Sequence, residues 1–211
     1  MCVDYRNPVA IITKGPLIER DVDVLVELHR VTQLSVTMSI PIWDSERARA
    51  IEPNVATPER RMRTVERLAR AGLTVGVNVA PMIPGLSDED MAKILEAARA
   101  AGAQFAGSVF LRLPGSVRAV FEERLRQNLP LRADRILSRV REARGGKLNS
   151  AEFGKRFAGE GPYAAAARAL FLSTCERLGL RTGFPEPDAA AAPTFRRPLP
   201  PPQAGDQLRL F

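Results

Sequence analysis

The sequence has few of the residues that metal centres and disulfide frameworks require. Its 211 residues include two cysteines, Cys2 and Cys175, and one histidine, His29. Two distant cysteines do not predict a disulfide framework, and a single histidine does not predict a zinc site. No run of about 18 apolar residues occurs, and no basic leader precedes an apolar stretch, so we expect neither a membrane span nor secretion. These absences favour a protein of the reducing cytoplasm.

The excess of positive charge is concentrated in one part of the chain. The net charge is +7, from 31 basic and 24 acidic side chains. Residues 1–117 hold 14 of each sign, whereas residues 118–147 hold nine basic and four acidic side chains. Because contacts of Arg and Lys with phosphates dominate nucleic-acid affinity, residues 118–147 are a candidate DNA-binding surface. The alternative is a solvated arginine-rich helix.

Short apolar runs alternate with helical patterns in the first half of the chain. The runs at 9–13, 34–40, 74–79 and 104–113 predict buried strands. Helices are predicted between them, one beginning after Thr57 with Pro58 at its first position, and another opening with a capping box at Ser87. The alternation predicts parallel βα units in a single α/β domain.

The second half of the chain has a different pattern. Helices are predicted at 116–127, 132–144 and 163–178, and no strand is predicted after Pro114. Four strands alone would leave a sheet edge exposed, which natural proteins normally cover. From Pro185 to Gly205 the chain is rich in proline and alanine and predicts a disordered linker.

Polar or small residues follow the predicted strands. Lys14, Ser39 and Ala80 stand at or just beyond three strand ends. Active sites of parallel barrels lie at the carboxyl ends of the strands, so we expect these residues to meet at one edge. A lysine ammonium pairs with a carboxylate, and a serine hydroxyl donates a hydrogen bond. Taken alone, the two residues are equally typical of a surface lysine and a strand-end serine.

The order of these motifs resembles the radical S-adenosylmethionine (SAM) superfamily, and within it spore photoproduct lyase and similar bacterial proteins. The resemblance covers residues 5–144 and rests on Thr13-Lys14, Ser39-Ile40, Glu52-Pro53, Thr57-Pro58 with Arg61, and Val79-Ala80-Pro81. It implies a partial parallel βα barrel, with about four of six βα units, over residues 1–115. A basic helical extension would follow over residues 116–184, and a disordered tail over residues 185–211.

The resemblance also implies roles for individual residues. Lys14 and Ser39 would hold the amino-acid portion of SAM, the backbone of Ala80 would bond the adenine edge, and Arg61 would lie near SAM. In this family three cysteines spaced Cys-x-x-x-Cys-x-x-Cys hold a 4Fe–4S cluster, which cleaves SAM to a radical that abstracts hydrogen from the substrate. The two cysteines here do not form that triad. We therefore expect a truncated version of a longer protein, inactive by itself because the cluster-binding part is missing.

The last residues form a separate motif. Gln207, Leu208, Leu210 and Phe211 match the peptide Gln-Leu-x-Leu-Phe by which many bacterial DNA polymerases and repair proteins bind the sliding clamp. Apolar anchors on a polar linker suit a preformed pocket on a partner. The alternative is a tail that packs back on its own domain.

Three functional hypotheses follow. The first is a cytoplasmic radical SAM, spore photoproduct lyase-like protein of DNA repair, tethered through the sliding clamp. The second is a non-catalytic repair accessory that binds DNA and the clamp and keeps a relict SAM pocket. The third is an aldolase-like enzyme in which Lys14 forms a Schiff base, which requires a desolvated lysine with a lowered pKa.

Overall fold

A five-stranded parallel sheet forms the centre of the protein. The computed structural model describes residues 1–149, 157–186 and 192–197. The strands lie in chain order, β1 to β5, across the sheet. They are β1 Val9–Thr13, β2 Leu34–Ser39, β3 Val75–Met82, β4 Phe105–Phe110 and β5 Arg181–Thr182. The helices are α1 Cys2–Tyr5, α2 Val22–Val31, α3 Ser45–Ile51, α4 Pro58–Arg70, α5 Ser87–Ala100, α6 Val117–Asn128, α7 Pro130–Glu142 and α8 Gly161–Leu178, with a 3-10 helix at Pro16–Asp21.

The two faces of the sheet differ in polarity because side chains alternate along each strand. On β2 and β3, one face carries Met38 and Val77, which pair across the strands and are fully buried. The opposite face carries Ser39 and Asn78, which also pair. The polar face of the sheet is therefore the one available for a site.

The apolar face packs against the helices that connect the strands. Its side chains share one core cluster with residues of α2, α4, α5 and α8, among them Leu28, Val65, Ile94 and Phe171. Strands in chain order with right-handed crossovers place their helices on the same face. This arrangement confirms the predicted partial parallel βα barrel.

A second core cluster lies at the carboxyl ends of the strands. It joins α3, α6 and α7 through residues such as Ala48, Phe121 and Ile136. Ile83 and Leu113, which follow β3 and β4, are buried in the same cluster. The predicted helical extension thus packs beside the edge formed by the carboxyl ends of β1–β4, here called the carboxyl edge.

Several local predictions were wrong. β5 was not expected after Pro114, and it covers the outer edge of β4 by pairing Thr182 with Ala106. Helix α3 was not predicted. The predicted capping box at Ser87 does not form, because Leu86 is the N-cap and Ser87 Oγ accepts instead from the backbone N–H of Ile83 at 3.0 Å. At α4, by contrast, Thr57 is confirmed as the N-cap and accepts from Arg60 N at 3.2 Å.

Part of the predicted linker contacts the domain. In segment 192–197, Thr194 Oγ1 lies 2.6 Å from Thr32 Oγ1, and Arg196 N donates to Tyr5 O at 2.9 Å. The rings of Phe195 and Tyr5 stack with centroids 6.3 Å apart. These contacts lie at the amino ends of the strands, opposite the carboxyl edge. Across the described residues, every helix is too short or too polar to cross a membrane.

Candidate functional site

The carboxyl ends of β1, β2 and β3 bring Lys14, Ser39 and Asn78 into one row. Thr13 pairs with Met38, so Lys14, the next residue, lies beside Ser39, and Ser39 pairs with Asn78. Neighbouring strands lie about 4.8 Å apart, so the row spans about 10 Å from Lys14 to Asn78. The predicted meeting of Lys14 and Ser39 at one edge is confirmed as geometry, and Asn78 joins them.

A carboxylate links Lys14 to the helix behind the row. Lys14 Nζ donates to one oxygen of Glu52, and Arg61 Nη2 donates to the other at 3.0 Å. The Glu52 side chain is 13% exposed, so the two cations compensate its charge where water is scarce. Through these two partners, Glu52 connects the residue after β1 to α4.

Arg61 is buried among residues of the site and is not exposed in it. Its residue exposure is 1%. Its Nε donates to Ala56 O and its Nη1 to Ser39 O, both at 2.8 Å. Together with Glu52, these bonds fix the end of β2 to the loop that precedes α4. Arg61 therefore lies beside the predicted SAM residues and holds them in position.

The middle of the row has unused hydrogen-bonding capacity. Asn78 is 4% exposed, and its Oδ1 is buried with no hydrogen-bond partner. Within the described residues, the hydroxyl of Ser39 makes no hydrogen bond either. Leaving a buried amide unpaired costs about 1–3 kcal/mol, which a ligand carrying hydroxyl or amine groups would recover. Asn78 was not among the predicted site residues, although its polarity within an apolar strand was a signal.

Ala80 lies where the sheet stops being regular. The pairing between β3 and β4 shifts between Val79 and Met82, so Ala80 and Pro81 fall outside the paired positions, and the peptide bond between them is cis. The backbone of Ala80 is therefore not committed to the β4 ladder. This position suits a backbone contact with a flat base, which is the role that the resemblance implies for Ala80.

The loop after β3 is fixed by a tyrosine from α8. Tyr163 Oη donates to Asp88, and it accepts from Gly85 N at 2.9 Å and from Arg139 Nη1 at 2.8 Å. Burial, and then the hydrogen bond to the Asp88 carboxylate, raise the pKa of Tyr163 to about 12. No sequence signal pointed to this contact, because the partners are far apart in the chain.

The donors of the row fit SAM. Lys14 supplies a cation for the carboxylate, the unpaired groups of Ser39 and Asn78 suit polar hydrogens, and Ala80 offers free backbone. The chain's cysteines do not fit a 4Fe–4S cluster, which needs thiolates close together. Cys2 is exposed on α1, whereas Cys175 is buried on α8, where burial raises the pKa of its thiol to about 11. Among the described residues, no group of three His, Cys, Asp or Glu side chains is placed to hold a metal ion.

Comparison with known proteins relates the first part of the chain to one superfamily. The family model of the radical SAM superfamily matches residues 3–98. Residues 3–98 are part of a radical SAM domain. Uncharacterised proteins of Mycobacterium tuberculosis and Mycobacterium bovis are 35% identical over 117 residues, which is 54% of this chain and 34% of each relative. The match thus covers about a third of the length of these relatives.

Solved structures show the same fold. Spore photoproduct lyase with bound AdoMet and dinucleoside spore photoproduct superimposes with a TM-score of 0.56 at 16% identity. The match covers 83% of this chain and 50% of the lyase. A second lyase structure, complexed with dinucleoside spore photoproduct, gives the same values. The radical SAM fold predicted from the motif order is therefore confirmed, and the non-catalytic alternative gains no support.

The predicted partner motif is not part of the site described above. Gln207, Leu208, Leu210 and Phe211 lie outside the described residues. Binding to a sliding clamp stays a prediction.

Proposed function

We propose that this chain supplies the SAM-binding part of a spore photoproduct lyase-like radical SAM enzyme that acts on DNA. The observation that carries the proposal is the row of Lys14, Ser39 and Asn78 at the carboxyl edge of a radical SAM domain. The fold that this chain shares with spore photoproduct lyase also supports the proposal. The two cysteines of the chain do not provide a cluster site, so no reaction step is assigned to these residues.

Each residue of the row would contact a different part of the ligand. Lys14 would neutralise the carboxylate of the ligand, sharing its ammonium with Glu52. Ser39 and Asn78 would bond the middle of the ligand, and Ala80 the base. When bound in this family, SAM supplies the adenosyl group for radical chemistry. Arg61 and Glu52 keep the row in place and do not touch the ligand.

Calorimetric titration of the purified chain with SAM tests the proposal. We expect Lys14→Ala to weaken SAM binding by about ten- to a hundredfold, because losing a charge-assisted hydrogen bond costs about 1.5–3 kcal/mol. Lys93→Ala is the matched control, since Lys93 is exposed on α5 and away from the row. We expect that variant to bind SAM as the wild type does.

Two outcomes would contradict the proposal. One is equal affinity of the wild type and Lys14→Ala for SAM. The other is no binding by the wild type at millimolar SAM while circular dichroism shows a folded chain. Ser39→Ala and Asn78→Ala provide a second measurement, because each should weaken binding without removing the Lys14–Glu52 ion pair.

A further inference from the structure

Most of the basic side chains in residues 118–147 have partners among the described residues. Three of the nine basic residues form ion pairs and three donate to uncharged oxygens. The ion pairs are Arg118–Glu122, Arg126–Asp134 and Arg132–Glu89, and the other donors are Arg124 to Ala50 O, Arg139 to Tyr163 Oη and Arg144 to Leu111 O. In the described part of the chain, Arg135, Arg141 and Lys147 make no ion pair or hydrogen bond through their side chains. Arg135, Arg141 and Lys147 are therefore the cations of this stretch whose side-chain donors no described residue engages.

Two of these three cations line one cavity. A cavity of about 490 Å³ is bordered by Arg118, Arg141 and Lys147, together with Asn149 and Gly115. Among the residues that the structure describes, no acidic side chain lines it. Arg118 pairs with Glu122. Because this ion pair is exposed and therefore weak, an anionic ligand can compete with Glu122 for Arg118. The cavity is open to solvent, and the charged side chains described in its lining are all positive.

The turn after α7 creates this cavity. Gly146 has a φ of +87°, and its N–H donates to Arg141 O at 2.8 Å, which reverses the chain at the end of the helix. The reversal returns Lys147 to the side of Arg141. Asn149 Oδ1 accepts from Leu113 N at 3.2 Å, so the amide group of Asn149 has only its N–H donors left for a ligand.

The amino end of α6 borders the same cavity. Gly115 and Arg118 flank the helix start, Ser116 makes no side-chain cap hydrogen bond, and no acidic residue lies in the first turn. The unpaired N–H groups at a helix amino end carry partial positive charge. The backbone and the side chains at the cavity thus both favour a negatively charged ligand.

The cavity lies next to the carboxyl edge. Leu113 and Gly115 follow β4 directly, at the edge where Lys14 and Ser39 end their strands. A long polyanion fits this geometry better than a single small anion does, because the cations are exposed and open to one side.

We propose that Arg118, Arg141 and Lys147 form a phosphate-binding site for the backbone of DNA. The proposal rests on the proposed function for its choice of DNA as the polyanion. The cations and donors of the cavity would neutralise backbone phosphates without reading the base sequence. Arg135, which lies outside the cavity, would contribute little.

Fluorescence anisotropy of a labelled mixed-sequence DNA duplex, titrated with the full chain, tests this site. We expect Arg141→Ala/Lys147→Ala to weaken binding about tenfold or more at 50 mM salt. The slope of log affinity against log salt should flatten by about 1.8, because each lost phosphate contact releases about 0.9 fewer counterions. The matched control is Arg126→Ala/Arg135→Ala, which removes the same charge from the neighbouring surface and should stay within about twofold of wild type.

The outcomes separate the site from general charge and from the proposed function. Equal losses in both double variants would overturn the proposal, because the effect would then come from net charge alone. The proposal would also be overturned if the chain bound no DNA, or if it bound anionic phosphatidylserine vesicles in place of DNA. SAM calorimetry on Arg141→Ala/Lys147→Ala should match the wild type. DNA binding that needs the cavity, in a chain that binds no SAM, would refute the proposed function and leave this site standing.

Discussion

Arg61 lies inside the protein because acceptors surround its guanidinium group on three sides. The carbonyls of Ala56 and Ser39 and the carboxylate of Glu52 each accept one of its N–H groups. Arg61 differs from the other arginines near the start of α4 because it is buried. Removing its side chain would leave the Glu52 charge with Lys14 alone and would leave two carbonyls without donors.

We therefore expect Arg61→Ala to lower the free energy of unfolding by about 3–5 kcal/mol, the usual cost of removing one partner of a buried ion pair. Urea denaturation followed by circular dichroism measures this change. Arg63→Ala is the control, because Arg63 is exposed on the same helix and its loss should change stability by less than about 0.5 kcal/mol. Similar losses in the two variants would show that burial of Arg61 does not contribute to stability.

At the scale of elements, one carboxylate joins the connection after β1 to α4. Glu19, on the 3-10 helix, accepts from Arg60 Nη1 at 2.5 Å, from Thr64 Oγ1 at 2.6 Å and from Arg67 Nη1 at 3.0 Å. The hydrogen bond from Arg60, with Thr64 and Arg67 adding to it, lowers the pKa of Glu19 to about 2. The 3-10 helix follows Lys14 closely in the chain, so the contacts of Glu19 also help to fix the position of Lys14.

The lowered pKa of Glu19 predicts how stability depends on pH. The stabilisation is complete above the ordinary glutamate pKa of about 4.5 and is lost as pH falls toward 2. At pH 7 we expect Glu19→Gln to reduce the free energy of unfolding by on the order of 2–3 kcal/mol, and the difference from wild type should shrink between pH 4.5 and 2.

Denaturant melts of both proteins across this pH range provide the measurement. The control is Glu66→Gln, which removes the exposed Glu66–Arg70 pair on α4 and should cost less than about 0.5 kcal/mol. A Glu19→Gln effect that is the same at pH 3 and pH 7 would mean that the charge of Glu19 is not the cause.

At the scale of the whole molecule, the candidate site and segment 192–197 lie at opposite ends of the sheet. The row of Lys14, Ser39 and Asn78 lies at the carboxyl edge, whereas segment 192–197 contacts Tyr5 and Thr32 at the amino ends of the strands. We propose that residues 207–211, which follow this segment in the chain, bind a sliding clamp.

The clamp proposal makes a direct prediction for the peptide that carries the motif. A labelled peptide of residues 200–211 should bind purified bacterial clamp with micromolar affinity in fluorescence anisotropy. Replacing Leu210 and Phe211 by Ala should abolish measurable binding, because burying each side chain contributes about 1.5–3 kcal/mol. Equal signals from both peptides, or no binding at tens of micromolar clamp, would refute the proposal.

The sequence by itself determined the main elements of the fold. Apolar runs of strand length between helical patterns located four strands correctly, and Thr57-Pro58 located the start of α4. The order of the motifs at the strand ends was sufficient to predict the superfamily. These features are local or repeat along the chain, so neighbouring residues carry the information.

Only the tertiary structure decided which groups face one another. Lys14, Glu52 and Arg61 are separated along the chain, and no local pattern links a strand-end lysine to a loop carboxylate. The two-residue strand β5 is too short to form a pattern and exists because β4 offers it an edge. Pairing also decided which cations remain available, since most arginines in residues 118–147 find partners on other elements. Charge counts along a sequence cannot show this, because neutralisation depends on distances that only folding sets.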